Sequence, residues 1–330
     1  VEQRTREHGE PSLQRDGLYD NDYVNAPQDE LQERDREVGL AHLLWQPTDA
    51  LDVMYSYDRT EHDEAPIPMF VTFVNTAVRN PAPNLIAPFL ADQGDRPSSG
   101  SFDNDYIGET TVEGHSLHVD FEICEGLAFS SISGYREMEN AGSGDNDGSP
   151  YPLLWTEDYQ ENDVLTQEFR LIGEAFDARL DYVLGAFYLD ENGDVDQSTY
   201  LDESVARSLP VLRNVPYRSQ SVTDFQTETW ALYTQATYAL TDRWDVTAGI
   251  RYTEEERDMS KTDFLSISGR LARTTLFPDA NREFDNVSPM GSVSYDWSED
   301  IMTYFKVSAG YQSGGFNPRD TSTAGFPIGF

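Results

Sequence analysis

From Asn286 to Asn317 the chain reads NVSPMGSVSYDWSEDIMTYFKVSAGYQSGGFN, and its side chains alternate in character. Val287, Gly291, Val293, Tyr295 and Trp297 are apolar or small, and Ser288, Ser292, Ser294 and Asp296 fill the gaps. After the tight acidic turn Trp297–Asp300 the pattern resumes. Ile301, Phe305, Val307, Ala309 and Tyr311 stand on one side, with Lys306, Ser308 and Gly310 on the other. A period of two is strand geometry, in which successive side chains leave opposite faces. One face of this hairpin is therefore built for an apolar medium and the other for a wet one. Trp and Tyr gather near the strand ends, which points to lipid rather than a protein core as the apolar medium.

The same alternation recurs upstream. Leu51, Val53, Tyr55 and Tyr57 oppose Asp52, Met54 and Ser56, and Leu117, Val119, Phe121 and Ile123 oppose His118, Asp120 and Glu122. Leu180, Tyr182, Leu184, Ala186 and Tyr188 oppose Arg179, Asp181, Val183, Gly185 and Phe187. Trp230, Leu232, Ala236, Tyr238 and Leu240 oppose Tyr233, Gln235 and Thr237; Trp244, Val246, Ala248, Ile250 and Tyr252 oppose Asp245, Thr247, Gly249 and Arg251. In each strand the first set is predicted to face lipid and the second a lumen where charge stays hydrated. The run 35–45 alternates least regularly.

Tight turns at 46–50, 124–126, 174–178, 240–243 and 297–300 join the paired runs, and long polar segments at 63–108, 141–163, 194–226 and 260–285 separate the hairpins. Short turns at one end and long loops at the other are the rhythm of an outer-membrane barrel. A soluble sandwich seldom carries several irregular loops of over about 20 residues at one end. The fold class predicted is all-β, an antiparallel transmembrane β-barrel. This chain supplies ten strands, with room for one more at the extreme N-terminus.

Composition fits that reading. No stretch approaches the roughly 18–20 apolar residues of a helical span; hydrophobic content is 38% and mean hydropathy −0.59. A barrel evades that test because only alternate residues meet lipid. The net charge is −37, from 60 acidic and 23 basic residues, and Lys261 and Lys306 are the lysines. Such a chain repels a phosphate backbone, so nucleic acid is excluded as a partner. The acid excess suits salty, cation-rich surroundings, or a set of acidic external loops. The single Cys124 allows no intrachain disulfide. The first forty residues contain no apolar segment of signal-peptide type, so an export signal is expected upstream of Val1.

Strong catalytic and nucleotide-binding motifs are absent from the sequence, so neither enzymatic chemistry nor a cofactor is expected. His115 and His118, three apart in a strand, point to opposite faces and make a poor shared metal site. Two oxygen-rich clusters are weighed against Ca²⁺: Asp190, Asn192, Asp194 and Asp196 in DENGDVD, and Asp145, Asn146 and Asp147 in GSGDNDGS. Both read first as solvated loop tips, because Gly193 stands fourth where an EF-hand loop needs glycine sixth. Tyr151, Trp155 and Tyr159 lie in a predicted external loop that holds no Lys or Arg from Ala141 to Asp163, and are candidates for ligand contact or for packing the loop on itself. Glu168 with Arg170, and Asp245 with Arg251, read as cross-strand pairing inside a wet lumen.

The segment SPMGSVSYDWSEDIMTYFKVSAGYQSGGFNPR resembles the barrel motif of TonB-dependent outer-membrane receptors. Its signature here is Gly310, Tyr311, Ser313, Gly314, Gly315, Phe316 and Asn317. The stretches Leu165 to Asn192 and Glu228 to Met259 are similar to hairpins of the same family. The resemblance implies about ten of a likely 22 strands, so that residues 1–330 are a barrel-domain portion with plug and closing strands elsewhere. The terminal GFPIGF lacks the alternation of a closing strand. It further implies residence in the outer membrane of a Gram-negative bacterium, contact with lipid and lipopolysaccharide, and uptake of a scarce small ligand. A ferric siderophore is the first expectation, with haem, cobalamin and glycans open. Energy would come from the TonB–ExbB–ExbD complex acting through the plug. A passive porin and a secreted acidic β-sandwich binding carbohydrate or calcium remain the alternatives.

Overall fold

The computed structural model of the chain describes residues 19–24, 26, 28–71, 99–202, 217–267 and 270–318. Every regular element among the described residues is a strand. In chain order, β1 (Tyr19–Asn21) and β2 (Glu30–Leu31) precede the hairpin β3 (Arg34–Thr48) and β4 (Leu51–Glu64). Next come the short β5 (Ser99–Gly100), then β6 (Ile107–Cys124) with β7 (Leu127–Asp145), and β8 (Leu154–Ala175) with β9 (Leu180–Leu201). The pair β10 (Tyr217–Thr241) and β11 (Trp244–Ile267), the short β12 (Arg270–Leu276), and the pair β13 (Ala280–Ser298) and β14 (Ile301–Ser308) complete it. One sheet takes the order β14-β13-β11-β10-β9-β8-β7-β6-β4-β3, with β12 added beside the far end of β11. Its neighbours are antiparallel, so a continuous up-and-down wall results.

The five tight turns sit where the alternation breaks. Phe176, Asp177 and Ala178 hold φ of 57°, 57° and 60°, a left-handed run that β-bonded neighbours impose on non-glycine residues. Gly126, at φ 76°, supplies the same conformation without a Cβ penalty. Cys124 is exposed at that turn.

Register carries one face across the sheet. The row Tyr182, Ala236, Ala248, Gly291 and Val307 pairs strand to strand, and all five belong to the faces predicted to meet lipid. Leu184, Leu232, Ile250 and Phe305 on the same side are exposed. Two aromatic belts bound the band. Trp230 and Tyr252 sit 5.3 Å apart at one edge, while Trp244 and Tyr295 (4.6 Å) and Trp297 (4.8 Å from Tyr295) sit at the other. Trp230 to Tyr238 is about 26 Å of strand at about 3.3 Å per residue, or about 20 Å across a bilayer at a tilt of about 40°. That is the scale of an outer-membrane apolar band.

The strands outlast this band. The segment 141–163 is strand except at 146–153; of 260–285, residues 260–267, 270–276 and 280–285 are strand, 277–279 are not, and 268–269 lie outside the described residues. Of 194–226, residues 194–201 and 217–226 are strand, and 203–216 lie outside the described residues. Much of what reads as loop is therefore barrel wall standing above the membrane. Its backbone stays paired, but both of its faces are wet, so the apolar alternation that marks a strand disappears. At the other end, β14 stops at Ser308; Ala309 donates one last bond to Pro289 O (3.0 Å) and Tyr311 is no longer in the sheet. The N-terminal run 1–18 and GFPIGF lie outside the described residues.

Among the described residues, two small clusters gather most of the buried apolar side chains. At the outer rim, β1 pairs β2 antiparallel and β5 in parallel, and covers Tyr19, Leu31, Ala65, Phe102 and Tyr106, with Phe70 packed against them. Along β11, Met259, Phe277 and Ala280 close on Phe225 and Phe316.

Candidate ligand site on the lumen face

In β9, β10 and β11 the odd-numbered side chains stand on the lumen face, opposite the lipid row. Near the outer ends they enclose a cavity of about 540 Å³. Val195, Gln197 and Thr199 come from β9, Ser221, Thr223, Phe225 and Thr227 from β10, and Arg257, Met259, Lys261 and Asp263 from β11. Phe316 and Pro318 close it from the segment after β14. Hydroxyl and amide walls above an apolar floor of Phe225, Met259 and Phe316 suit a ligand with both characters.

Two cations stand in this wall. Lys261 is only 4% exposed, with its Nζ 4.6 Å from the Phe277 ring centroid and 3.6 Å from Asp263 Oδ1. The Phe277 ring face and the Asp263 carboxylate are among the partners this buried side chain meets in place of water. Arg257 pairs with Glu255, and Glu255 also accepts a bond from Ser313 Oγ at 2.7 Å. The signature segment thus has a physical job. Past Ala309 it folds over the lumen side of β11, with Gly315 buried, and delivers Phe316 to the pocket.

Deeper in the lumen, Glu168 and Arg170 pair with each other along β8 rather than across strands; the cross-strand partner is Tyr233, whose hydroxyl donates to Glu168 while accepting from Arg170 Nε at 3.2 Å. A Cβ at Gly185 would fall 2.1 Å from the Tyr233 ring, so the absent side chain is the slot in which that ring lies. Arg251 does not pair with Asp245. Its guanidinium sits 5.5 and 5.6 Å from the Phe187 and Tyr233 ring centroids, and its Nε donates to Thr253 Oγ1.

The other residues singled out in the sequence fall elsewhere. Tyr151 lies in the 146–153 connection, but Trp155 and Tyr159 belong to β8. Trp155 stacks on Tyr200 at 4.7 Å and 3°, with Arg218 5.3 Å over Tyr200. By register this ladder stands on the outward face, not in the lumen pocket. Asp190, Asn192, Asp194 and Asp196 sit within β9 rather than at a loop tip. Their spacing spreads them over about 20 Å, whereas calcium ligands must meet within about 2.6 Å of one ion. Among the described residues no three His, Cys, Asp or Glu side chains gather as a metal centre. Asn192 and Asp194 instead line an outward groove of about 740 Å³ with Glu139, Glu161, Asp163, Asp224 and Asp258, just beyond the aromatic belt. The histidines separate as predicted: His115 contacts Tyr55 and Tyr57, and His118 contacts Ser130 and Asp120. Sequence reasoning missed Phe225, Arg257, Met259 and Lys261. Their shared odd parity was the available signal, masked because 194–226 and 260–285 looked like loop.

The family model for the TonB dependent receptor-like β-barrel matches residues 45–329. The chain belongs to this family. Barrels of TonB-dependent receptors lie in the outer membrane of Gram-negative bacteria, and this one does too. Its sequence is 28% identical over 167 residues to the pesticin receptors of Yersinia enterocolitica and Yersinia pestis, covering 50% of this chain and 21% of theirs. Among solved structures, the ferric yersiniabactin uptake receptor of Yersinia pestis superposes with a TM-score of 0.69 at 18% identity, over 94% of this chain and 43% of that one. The ferric-catecholate import receptor Fiu of E. coli K12 gives 0.57 at 13%, over 91% and 47%. The chain thus spans less than half the length of these receptors, and its likeness to the solved ones concerns the fold.

Proposed function

We propose that this barrel serves TonB-dependent uptake of a ferric siderophore, held first in the lumen pocket. The carrying observation is the cavity of about 540 Å³ between Phe225, Met259 and Phe316 on one side and Arg257, Lys261 and hydroxyl groups on the other. An iron chelate presents apolar rings or backbone together with anionic oxygen, and both parts find partners there. The relatives whose names specify ferric chelates support the same reading. In this proposal residues 1–330 are one portion of a barrel that works around a plug supplied by the rest of the protein. The TonB–ExbB–ExbD complex pulls on that plug, lipid and lipopolysaccharide surround the wall, and the receptor makes and breaks no covalent bond.

The test is binding of a ferric siderophore panel to the full-length receptor in detergent, read by tryptophan quenching. At least one ferric chelate should bind, and Phe316→Ala with Arg257→Gln should weaken it at least tenfold, about 1.4 kcal/mol. Absence of binding by every ferric chelate, together with a steady open conductance in a planar bilayer, would instead identify a passive pore.

A further inference from the structure

At the outer rim, away from the lumen pocket, a buried and a half-buried carboxylate face each other without a cation. Asp145 ends β7 and is 2% exposed. Its Oδ1 accepts from the backbone N–H groups of Asp147 (2.8 Å) and Gly148 (3.0 Å), whereas its Oδ2 is buried and meets no donor. The side chain that approaches it is Asp103, half-buried in the segment that leads from β5 into β6. Asp147 adds a third negative charge, but its own oxygens are taken by Ser149, Leu153 N–H and Leu154 N–H. Tyr106, also buried, donates its hydroxyl to the Asp145 carbonyl at 3.1 Å. Among the described residues no ion pair reaches Asp103, Asp145 or Asp147. Burial and the neighbouring Asp147 charge push the Asp145 carboxyl up to about 7, and push Asp103 up to about 6.

Buried charge of one sign is tolerated only when it is neutralised. We propose that Asp103 and Asp145 bind a calcium ion that clasps the β7–β8 connection to the β5–β6 segment. Calcium accepts irregular sets of six to eight oxygens and readily fills them with backbone carbonyls and water, whereas magnesium insists on a near-ideal octahedron. Two carboxylates with neutral oxygens are therefore a sufficient protein contribution, and no third acidic ligand is required. The clasp would fasten the three-stranded sheet of β1, β2 and β5, through Phe102 and Tyr106, to the barrel wall.

Titration calorimetry on the full-length receptor in detergent at pH 8 tests this with calcium chloride alone as the probe. Wild type should take up one calcium ion per chain at this site. Asp145→Asn, which keeps an acceptor for the Asp147 and Gly148 N–H groups, should lose that ion. Asp194→Asn, in the outward groove, should retain it. Calcium should also slow proteolysis in the 146–153 connection severalfold for wild type and not for Asp145→Asn. Equal calcium uptake by wild type and Asp145→Asn would overturn the proposal. So would absence of calcium heat from wild type, which would mean that a shared proton holds the pair.

Discussion

Ala248 stands on the lipid face, four residues from Trp244 and four from Tyr252, and so at the middle of the band those aromatics bound. Four residues are about 13 Å of strand, or about 10 Å of depth at a tilt of about 40° from either belt. An arginine there cannot snorkel past both belts, and its register partners Ala236 and Gly291 offer no counter-charge. Ala248→Arg should cost about 3 kcal/mol, the middle of the range for a cation at the midplane, or about a hundredfold in the folding equilibrium. The control is Gln235→Arg, exposed on the lumen face and in register with Gly249. It should change stability by less than about 0.5 kcal/mol, as the native Arg251 on that same face suggests. Both are read by guanidinium titration of the full-length receptor folded into lipid vesicles. If the two variants fall within about 1 kcal/mol of each other, the assignment of faces is wrong and the apolar side does not meet lipid.

Gly185→Ala brings a Cβ to 2.1 Å of Tyr233 and displaces the ring from Glu168 and Arg170. The expected loss is about 2 kcal/mol from overpacking and broken charge-assisted bonds. Gly39→Ala meets nothing within 4 Å and should be neutral in the same titration; equal effects would refute the slot. With calcium chelated, stability should fall as pH rises. Asp145 moves from its ordinary 3.8 to about 7 on folding, so between these values the folded chain holds a proton that the unfolded chain has released. The loss therefore accrues from about pH 4 to pH 7 and then levels off, with about 4 kcal/mol as its upper bound. Thermal midpoints across that window should slope downward for wild type and be flatter for Asp145→Asn.

What the sequence determined by itself was the membrane-spanning part of the wall. Lipid on one side and water on the other force a period of two, so Trp230 to Leu240 and Trp244 to Tyr252 reveal strand, face and depth together, and the turns between them follow. The inward Glu168–Arg170 pair was legible for the same reason. Above the belt that constraint lapses, because water lies on both sides and any polar residue fits either face. There the sequence could not show that 154–163 and 194–201 remain strand, that Trp155 stacks outward on Tyr200, or that DENGDVD is drawn out along β9. The lumen pocket depends on register among three strands and on a segment from beyond β14 folding back, contacts separated by tens of residues. Asp103 and Asp145 likewise meet only because the β5–β6 segment packs against the end of β7. Local pattern cannot encode such meetings; only the tertiary arrangement brings those charges and rings within reach of one another.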